Sequence, residues 1–339
     1  MGLKRLQAFF SKYSSVVCLG LLICCALVYA GLAVMLMRGN ETAATYTRQY
    51  EPTPVPTWDG YRLYSPAPSL SPLPVSNQKD DSEGLLQGKY RWKFTDAEII
   101  TNQSYSRKDV SISWEKYEDK TSFSNKIVYY VADILVDDVS LIQTVFAKGA
   151  FNTRGVKSME TIAKANRCVL AISGDYALYH SNGVIVRNGE VYRKSKCTSD
   201  LCVLYSDGIM ETYEVGTITP DEVLAGDPWQ SWHFGPELLD HNGQPKTKFN
   251  TSVGGRNPRA AIGYYEPGHY CFVVVDGRQR KYSQGLNMKE LSLLMYDLGC
   301  VRAYNLDGGA TARMFWKDKI INSPSKDRSL HDAICISFE

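Results

Sequence analysis

The chain has 339 residues, 22% of them charged and 44% hydrophobic, and a formal net charge of +2 at neutral pH. This is ordinary globular composition, with length for one large domain or two modest ones. With no basic patch beyond the extreme N-terminus it carries no nucleic-acid signature, so no nucleic-acid partner is expected.

Residues 1–15 form a short basic segment with Lys4, Arg5 and Lys12. Val16 to Met37 then run without a charge for 22 residues, against the roughly 20 that a membrane-spanning helix needs. Only Arg38 follows closely, so the positive-inside bias puts the N-terminus in the cytoplasm and the rest of the chain outside. Val28-Tyr29-Ala30 could pass as a signal-peptide cleavage site. The run is longer than the roughly 7–15 apolar residues of such peptides, which favours an uncleaved anchor. Residues 38–84 read as a linker, because seven of the chain's 14 prolines fall there and favour extended backbone. Residues 85–339 read as one extracytoplasmic domain.

Within that domain, Lys126 to Val136 is a strand candidate rich in β-branched and aromatic residues. Gly155 to Arg167 places Val156, Met159, Ile162 and Ala163 at helical spacing. "CVLAIS" follows as a buried strand ending at Gly174-Asp175-Tyr176. Two hairpins turn at Asn188-Gly189 and Asp207-Gly208. "HYCFVVVDGR" is a buried strand ending at Asp276. Asn287 to Leu298 has a good N-cap, a capping-box Glu290 and a stop at Gly299, the marks of a helix. "VRAYNLD" is the next strand, "ATARMFWKDKIIN" a hairpin and "AICISF" a closing strand. Strands outnumber helices, so the expected fold class is α+β, with mixed, mostly antiparallel sheets and a few helices behind one transmembrane helix.

Six cysteines lie outside the apolar run, and an even number in an exported domain suggests disulfides. Cys197 and Cys202 are the favoured local pair; spacing does not select partners for the others. No Cys-x-x-Cys and no histidine cluster supports zinc. No cofactor is expected; Asp-rich loops could hold Ca²⁺, but no motif specifies it.

Three buried strands end in an acid beside glycine, at Asp175, Asp276 and Asp307. A single Asp-Gly is usually a turn. Asp276 is followed by "RQRKYSQG", which does not fold back as a strand, and the other two each end a helix-to-strand unit. Carboxylates held by rigid strand ends, with glycine admitting a ligand to the backbone, suit a pocket. Arg259 and Arg278 add planar forks suited to phosphate; Arg256 reads better as a surface ion pair. Tyr176, Tyr179, Trp229, Trp232 and Phe234 offer faces for sugar stacking or core packing. There is no Gly-x-Ser-x-Gly elbow, phosphate-cradling loop, His-Glu-x-x-His or dinucleotide fingerprint.

In order, "NPRAAIG", "VVVDGRQ", a Leu-rich helix and "NLDGGAT" resemble the phosphodiester glycosidase family, over about Ile127 to the C-terminus. The family's "NGGYF"-like element is replaced here by Ser173-Gly174-Asp175-Tyr176, and the glycine-serine pair common after the double glycine by Ala310-Thr311. The resemblance implies hydrolysis of a sugar-1-phosphodiester to sugar and phosphomonoester, with a carbohydrate phosphodiester as partner. On that reading Asp307 and Asp175 flank the anomeric carbon, and Asp276 positions hydroxyls or is the second carboxylate. Arg259 and Arg278 hold phosphate, Asn305 and Thr311 donate hydrogen bonds, and Gly308, Gly309 and Tyr176 complete the pocket. The rival is a non-catalytic module that binds a cell-wall or capsular polysaccharide; three acids beside arginines favour catalysis.

Overall fold

The apolar stretches of the sequence become strands buried on both faces. The computed structural model describes residues 84–120, 126–151 and 155–338. Strands β1 (Ile99–Ile100), β2 (Ser104–Arg107), β3 (Val110–Asp119), β4 (Ile127–Val136) and β5 (Gln143–Phe146) come first. Helix α1 (Met159–Ala165) leads into β6 (Cys168–Ser173), the hairpin β7 (Val184–Arg187) and β8 (Glu190–Lys194), and then β9 (Leu201–Tyr205) and β10 (Met210–Tyr213). Helix α2 (Pro220–Ala225), β11 (Pro228–Trp232), β12 (Arg259–Glu266) and β13 (His269–Val275) follow. Helix α3 (Met288–Asp297), β14 (Arg302–Asn305), β15 (Met314–Trp316), β16 (Lys319–Ile320) and β17 (Asp332–Ser337) complete the order.

A seven-stranded sheet, β1-β2-β3-β4-β13-β12-β14, faces a five-stranded sheet, β16-β15-β6-β17-β5. Val128, Tyr130, Ile134, Phe272 and Val274 of the first meet Leu170, Ile172, Met314, Ile334 and Ile336 of the second in one core. Helix α1 covers the outer face of the smaller sheet, setting Met159, Ile162 and Ala163 against Ala171, Phe315 and Cys335. Seven residues are too few for a stable helix alone. Ser158 caps it by accepting from the Thr161 N–H at 3.2 Å. Burial of Met159 and Ile162 adds about 1.5–3 kcal/mol each. Helix α3 lies against the outer face of the larger sheet, where Met295 reaches Gly263. Its capping box between Asn287 and Glu290 forms as expected, and Gly299 ends it with a left-handed φ of 82°.

Every ladder among the described residues is antiparallel. The word "mixed" therefore does not apply to them, and the reason lies in the helical connections. Helix α3 carries the chain from β13 to β14, which run in the same direction but on either side of β12. Helix α1 likewise links β5 and β6, with β17 inserted between them. Each helix makes a parallel crossover, and a later or earlier strand fills the gap antiparallel. This gathers the C-terminal ends of β6, β13 and β14 with the N-terminal starts of β12 and β17.

Sequence periodicity did not identify β1–β3, β5, β11, β12 or α2. The stretch "DPWQSW" lacks a strand's alternation, yet β11 forms there and pairs with β9 through a register shift beside Pro228. Trp232 lies in the core and Trp229 donates to the Ile142 carbonyl at 2.7 Å, so both indoles are structural. All six cysteines outside the apolar run are unbonded. The expected Cys197–Cys202 pair fails because β9 alternates its faces. Cys202 and Leu204 enter the main core, whereas Cys197 packs with Leu201 and Val203 on the opposite side. The apolar run Val16–Met37 and the linker up to residue 83 lie outside the described residues; no described helix is long and apolar enough to cross a membrane.

Candidate active site

Two strand ends from different sheets are laced together at the "NLDGGAT" stretch. The Asp307 N–H donates to the Gly174 carbonyl at 3.0 Å, and the Ser173 hydroxyl donates back to the Asp307 carbonyl at 3.0 Å. The Gly309 N–H donates to the Pro258 carbonyl at 2.8 Å, which brings in the start of β12. Glycine is required here for space: a Cβ on Gly308 would lie 2.7 Å from the Pro258 oxygen, and Gly309 has a left-handed φ of 63°. Gly308→Ala is expected to destabilise the fold by about 1–3 kcal/mol, the range for overpacking. Denaturant titration of the full chain checks this.

Asp307 stands between two cavities. One, of about 220 Å³, is lined by Tyr176, Tyr179, Thr311, His331 and Asp332. The other, of about 180 Å³, is lined by Asn257, Arg259, Arg278, Asn305, Gly308 and Gly309. Asp307 and Arg328 line both.

The second cavity is built for an anion. The Arg259 guanidinium is buried and donates only to backbone carbonyls, of Leu286 at 2.9 Å, Val253 at 2.8 Å and Gly255. Burial, with Arg278 nearby, pushes its pKa down to about 10. Arg278 is exposed, adopts a left-handed φ of 58° and is held by the Asn257 side-chain oxygen at 2.7 and 3.1 Å. Among the described residues, neither arginine forms an ion pair with a carboxylate, nor does Arg328. The buried Arg259 charge has hydrogen-bond acceptors but no counter-charge, which is costly, and a bound anion would relieve it.

The first cavity pairs carboxylates with aromatics. Burial pushes the Asp307 carboxyl up to about 6, against the pull of Thr311 and Arg328, with Asp175 raising it further. Burial raises Asp332 to about 7, with Asp175 and Asp307 adding to the rise and Arg187 opposing it. Gly174 makes room for Asp332, since a Cβ there would lie 2.3 Å from its carboxylate oxygen. The Tyr176 and Tyr179 rings stack at 4.0 Å and 15°, with the Arg328 guanidinium 5.6 Å from the Tyr176 ring. Tyr176 has a left-handed φ of 62°; strained backbone of this kind clusters at functional sites. His331 donates from Nδ1 to the Gly155 carbonyl at 3.1 Å, which leaves Nε2 as an acceptor with no partner. Burial lowers its pKa, which favours the neutral ring.

Asp175 is fully buried behind this cavity. It accepts from Arg187 at 2.6 Å and from the His233 N–H at 2.8 Å. Arg187 also lies 3.8 Å from Asp332, so Asp175 reaches the cavity through that guanidinium. Asp276 lines neither cavity. It accepts from Asn322 at 2.9 Å, from the Ser323 N–H at 3.0 Å and from Tyr282 at 3.1 Å, tying the end of β13 to the chain after β16.

Of the ten sequence-derived site residues, Asp307, Arg259, Arg278, Asn305, Gly308, Gly309, Thr311 and Tyr176 line the two cavities; Asp175 and Asp276 stand outside them. One N–H of the Asn305 amide and the Thr311 hydroxyl donate to the carbonyls of Gly235 and Gly308. The Asn305 side-chain oxygen has no partner. Arg256 pairs with Glu290. Arg328, His331 and Asp332 went unnoticed in sequence. They precede or begin β17, and only the pairing of Ala333 with Ser173 brings that start beside the end of β6. A reading that asked for acids at strand starts as well as ends would have found Asp332. Among the described residues, no group of three or more His, Cys, Asp or Glu side chains could hold a metal ion.

A family profile described as phosphodiester glycosidase matches residues 166–337. The SPbeta prophage-derived uncharacterized protein YomE of Bacillus subtilis (strain 168) is 25% identical over 310 residues. Those residues are 82% of this chain and 47% of that protein, so the chain spans about half the length of this curated relative. The catalytic domain of zebrafish N-acetylglucosamine-1-phosphodiester α-N-acetylglucosaminidase, solved auto-inhibited by its pro-peptide, shares the fold. The TM-score is 0.56 at 18% identity, over 68% of this chain and 84% of that one. A hypothetical protein from Synechocystis superposes with a TM-score of 0.51 at 14% identity, over 69% of this chain and 64% of that one.

Proposed function

Because the chain belongs to the phosphodiester glycosidase family, we propose that it hydrolyses the glycosidic bond of a sugar-1-phosphodiester, releasing the sugar and a phosphomonoester. The observation that carries this reading is the position of Asp307, a carboxylate on the wall between an arginine-lined cavity and a tyrosine-lined one. The phosphate lies with Arg259, Arg278 and Arg328, and the sugar lies on the Tyr176–Tyr179 stack. Asp307, ionised, stabilises the positive charge that develops at the anomeric carbon. Asp332, with the higher pKa, carries the proton. As the C1–O bond breaks, the phosphate oxygen keeps the electron pair and takes the proton from Asp332. Water supplies hydroxide to C1 and returns its proton to Asp332. The arginines stabilise the leaving group's charge. Asp175 holds Arg187 against Asp332, and Asp276 holds the loop after β13; both are positioning residues.

We further propose that residues 16–37 anchor the protein as a single-pass membrane helix, with residues 85–339 as the extracytoplasmic catalytic domain on the 38–84 linker. The uncharged run flanked by N-terminal lysine and arginine supports this.

The test is release of reducing sugar and phosphomonoester from the methyl diester of N-acetylglucosamine-1-phosphate by the detergent-solubilised full chain. Absence of release, or equal release from Asp307→Asn, overturns the reading. Arg278→Ala is expected to raise KM for the same diester roughly 10–100-fold, the worth of one charge-assisted hydrogen bond. It should also flatten the ionic-strength dependence of kcat/KM; initial rates across a salt series check both.

A further inference from the structure

The three arginines beside Asp307 are held in different ways. Arg259 is fixed by backbone carbonyls and Arg278 by the Asn257 side chain. Arg328 is exposed, with its guanidinium 5.6 Å from the Tyr176 ring. Its place over the site therefore depends on the backbone that carries it.

That backbone is the loop of residues 323–329, between β16 and β17. The root of the loop is fixed: the Ser323 N–H donates to Asp276 at 3.0 Å, and the Ser323 carbonyl accepts from Gln279 at 2.8 Å. The far end is fixed where Leu330 and Lys157 exchange backbone hydrogen bonds at 2.8 and 3.0 Å. Between these ends the loop is gripped by Arg313, which donates to the Lys326 carbonyl at 2.9 Å and to the Asp327 carboxylate at 3.0 Å. The other terminal nitrogen of Arg313 donates to the Ala310 carbonyl at 2.6 Å. Ala310 belongs to "NLDGGAT" and lines the arginine cavity. Arg313 itself lines neither cavity and is only 3% exposed. Burying a guanidinium is costly, and an apolar side chain could fill the same space. What the planar fork adds is a tie between the loop of Asp307 and the loop of Arg328.

We propose that Arg313 is a positioning residue that sets Arg328 at the junction of the two cavities and so makes a negative charge on the substrate a condition of tight binding. The proposal deepens the hydrolase reading and rests on it for the identity of the anion, a phosphate diester. An untethered loop loses conformational freedom when an anion binds, which weakens binding. With Arg313 in place the loop is ordered on folding, and Arg328 is preorganised. Lysine keeps the charge at 313 but lacks the planar fork that spans acceptors on two loops.

The experiment titrates inorganic phosphate by calorimetry into the detergent-solubilised full chain. Arg313→Lys should weaken phosphate binding about 10-fold, the scale of lost hydrogen bonds to a charged group, and Arg328→Ala at least as much. The two losses should not add: with Arg328 already removed, Arg313→Lys should cost less than about twofold more. A residue that only stabilises the fold gives additive losses or none. Asp327→Ala decides the matter if Arg313→Lys misfolds, because that side chain is 95% exposed. On charge alone, removing a carboxylate near the site strengthens phosphate binding. As a brace for Arg313 its loss should instead weaken binding about two- to threefold, the worth of an exposed ion pair. No phosphate bound by the parent, additive losses, or unchanged or tighter binding in Asp327→Ala overturns the proposal. None of these readings needs turnover. Phosphate binding with the expected losses but no hydrolysis of the methyl diester supports the role of Arg313 and overturns the hydrolase alone.

Discussion

Asp307→Asn is expected to lower kcat for a sugar-1-phosphodiester on the order of 10³-fold or more, the scale of losing a charge aimed at the transition state. The amide matches the carboxylate in shape, so the contacts of the residue's backbone with Gly174 and Ser173 persist. The variant also tests the electrostatics. The folded carboxyl has a pKa of about 6, above the roughly 3.9 of an unfolded Asp. Between those values the folded state holds a proton that the unfolded state has lost, so stability falls as pH rises through that window. Above pH 6 the native charge is buried at a cost that asparagine does not incur. Asp307→Asn should therefore unfold at a higher temperature than the parent at pH 7.5, with the difference vanishing near pH 4. A dead enzyme with an unchanged or raised midpoint is the predicted pair of results. Full activity would remove Asp307 from the mechanism; a lowered midpoint at pH 7.5 would contradict its burial.

Asp332→Asn should cost roughly 10²–10⁴-fold in kcat, the usual worth of a positioned proton donor, and change the shape of the pH profile. With Asp307 near 6 and Asp332 near 7, kcat/KM of the parent should be bell-shaped. The acid limb reports Asp307 gaining a proton, and the alkaline limb Asp332 losing one. The two carboxyls interact, so the limbs belong to the pair. The diester carries one constant charge through this range, so the substrate does not supply either limb. In Asp332→Asn the alkaline limb should disappear while the acid limb stays. Initial rates across pH decide it: an unaltered bell would mean that Asp332 carries no proton. The same sign argument applies to stability. A buried carboxyl raised to about 7 is a liability at pH 8, so the variant should gain roughly 2–6 °C there, the response of a large domain to about 1–2 kcal/mol.

Much of the site was legible because its backbone is local. The double glycine after Asp307 marked a loop that passes so close to Pro258 that a Cβ on Gly308 would lie 2.7 Å from its carbonyl oxygen. Strand-end acids were visible as carboxylates after apolar runs, although the sequence could not rank them. Asp276 looked no different from Asp307, yet Asn322, Ser323 and Tyr282 saturate it. Asp332 looked like an ordinary residue before a closing strand. It became part of the site only because β17 runs antiparallel to β6 and starts where β6 ends.

What this chain writes locally is its hairpins at Asn188-Gly189 and Asp207-Gly208, its capped helix after Asn287, the runs that become β4, β6 and β13, and the loop that presents Asp307. Those features depend on contacts a few residues apart, where side-chain spacing and turn chemistry suffice. Tertiary packing decided that every described ladder is antiparallel, that Cys197 and Cys202 face opposite sides of β9, and that Arg328 and Asp332 join Asp307 while Asp175 and Asp276 withdraw behind it. The cause is that direction and burial at a strand end are set by the neighbouring strand and the facing sheet, which are more than a hundred residues away for the Ser173–Asp307 contact.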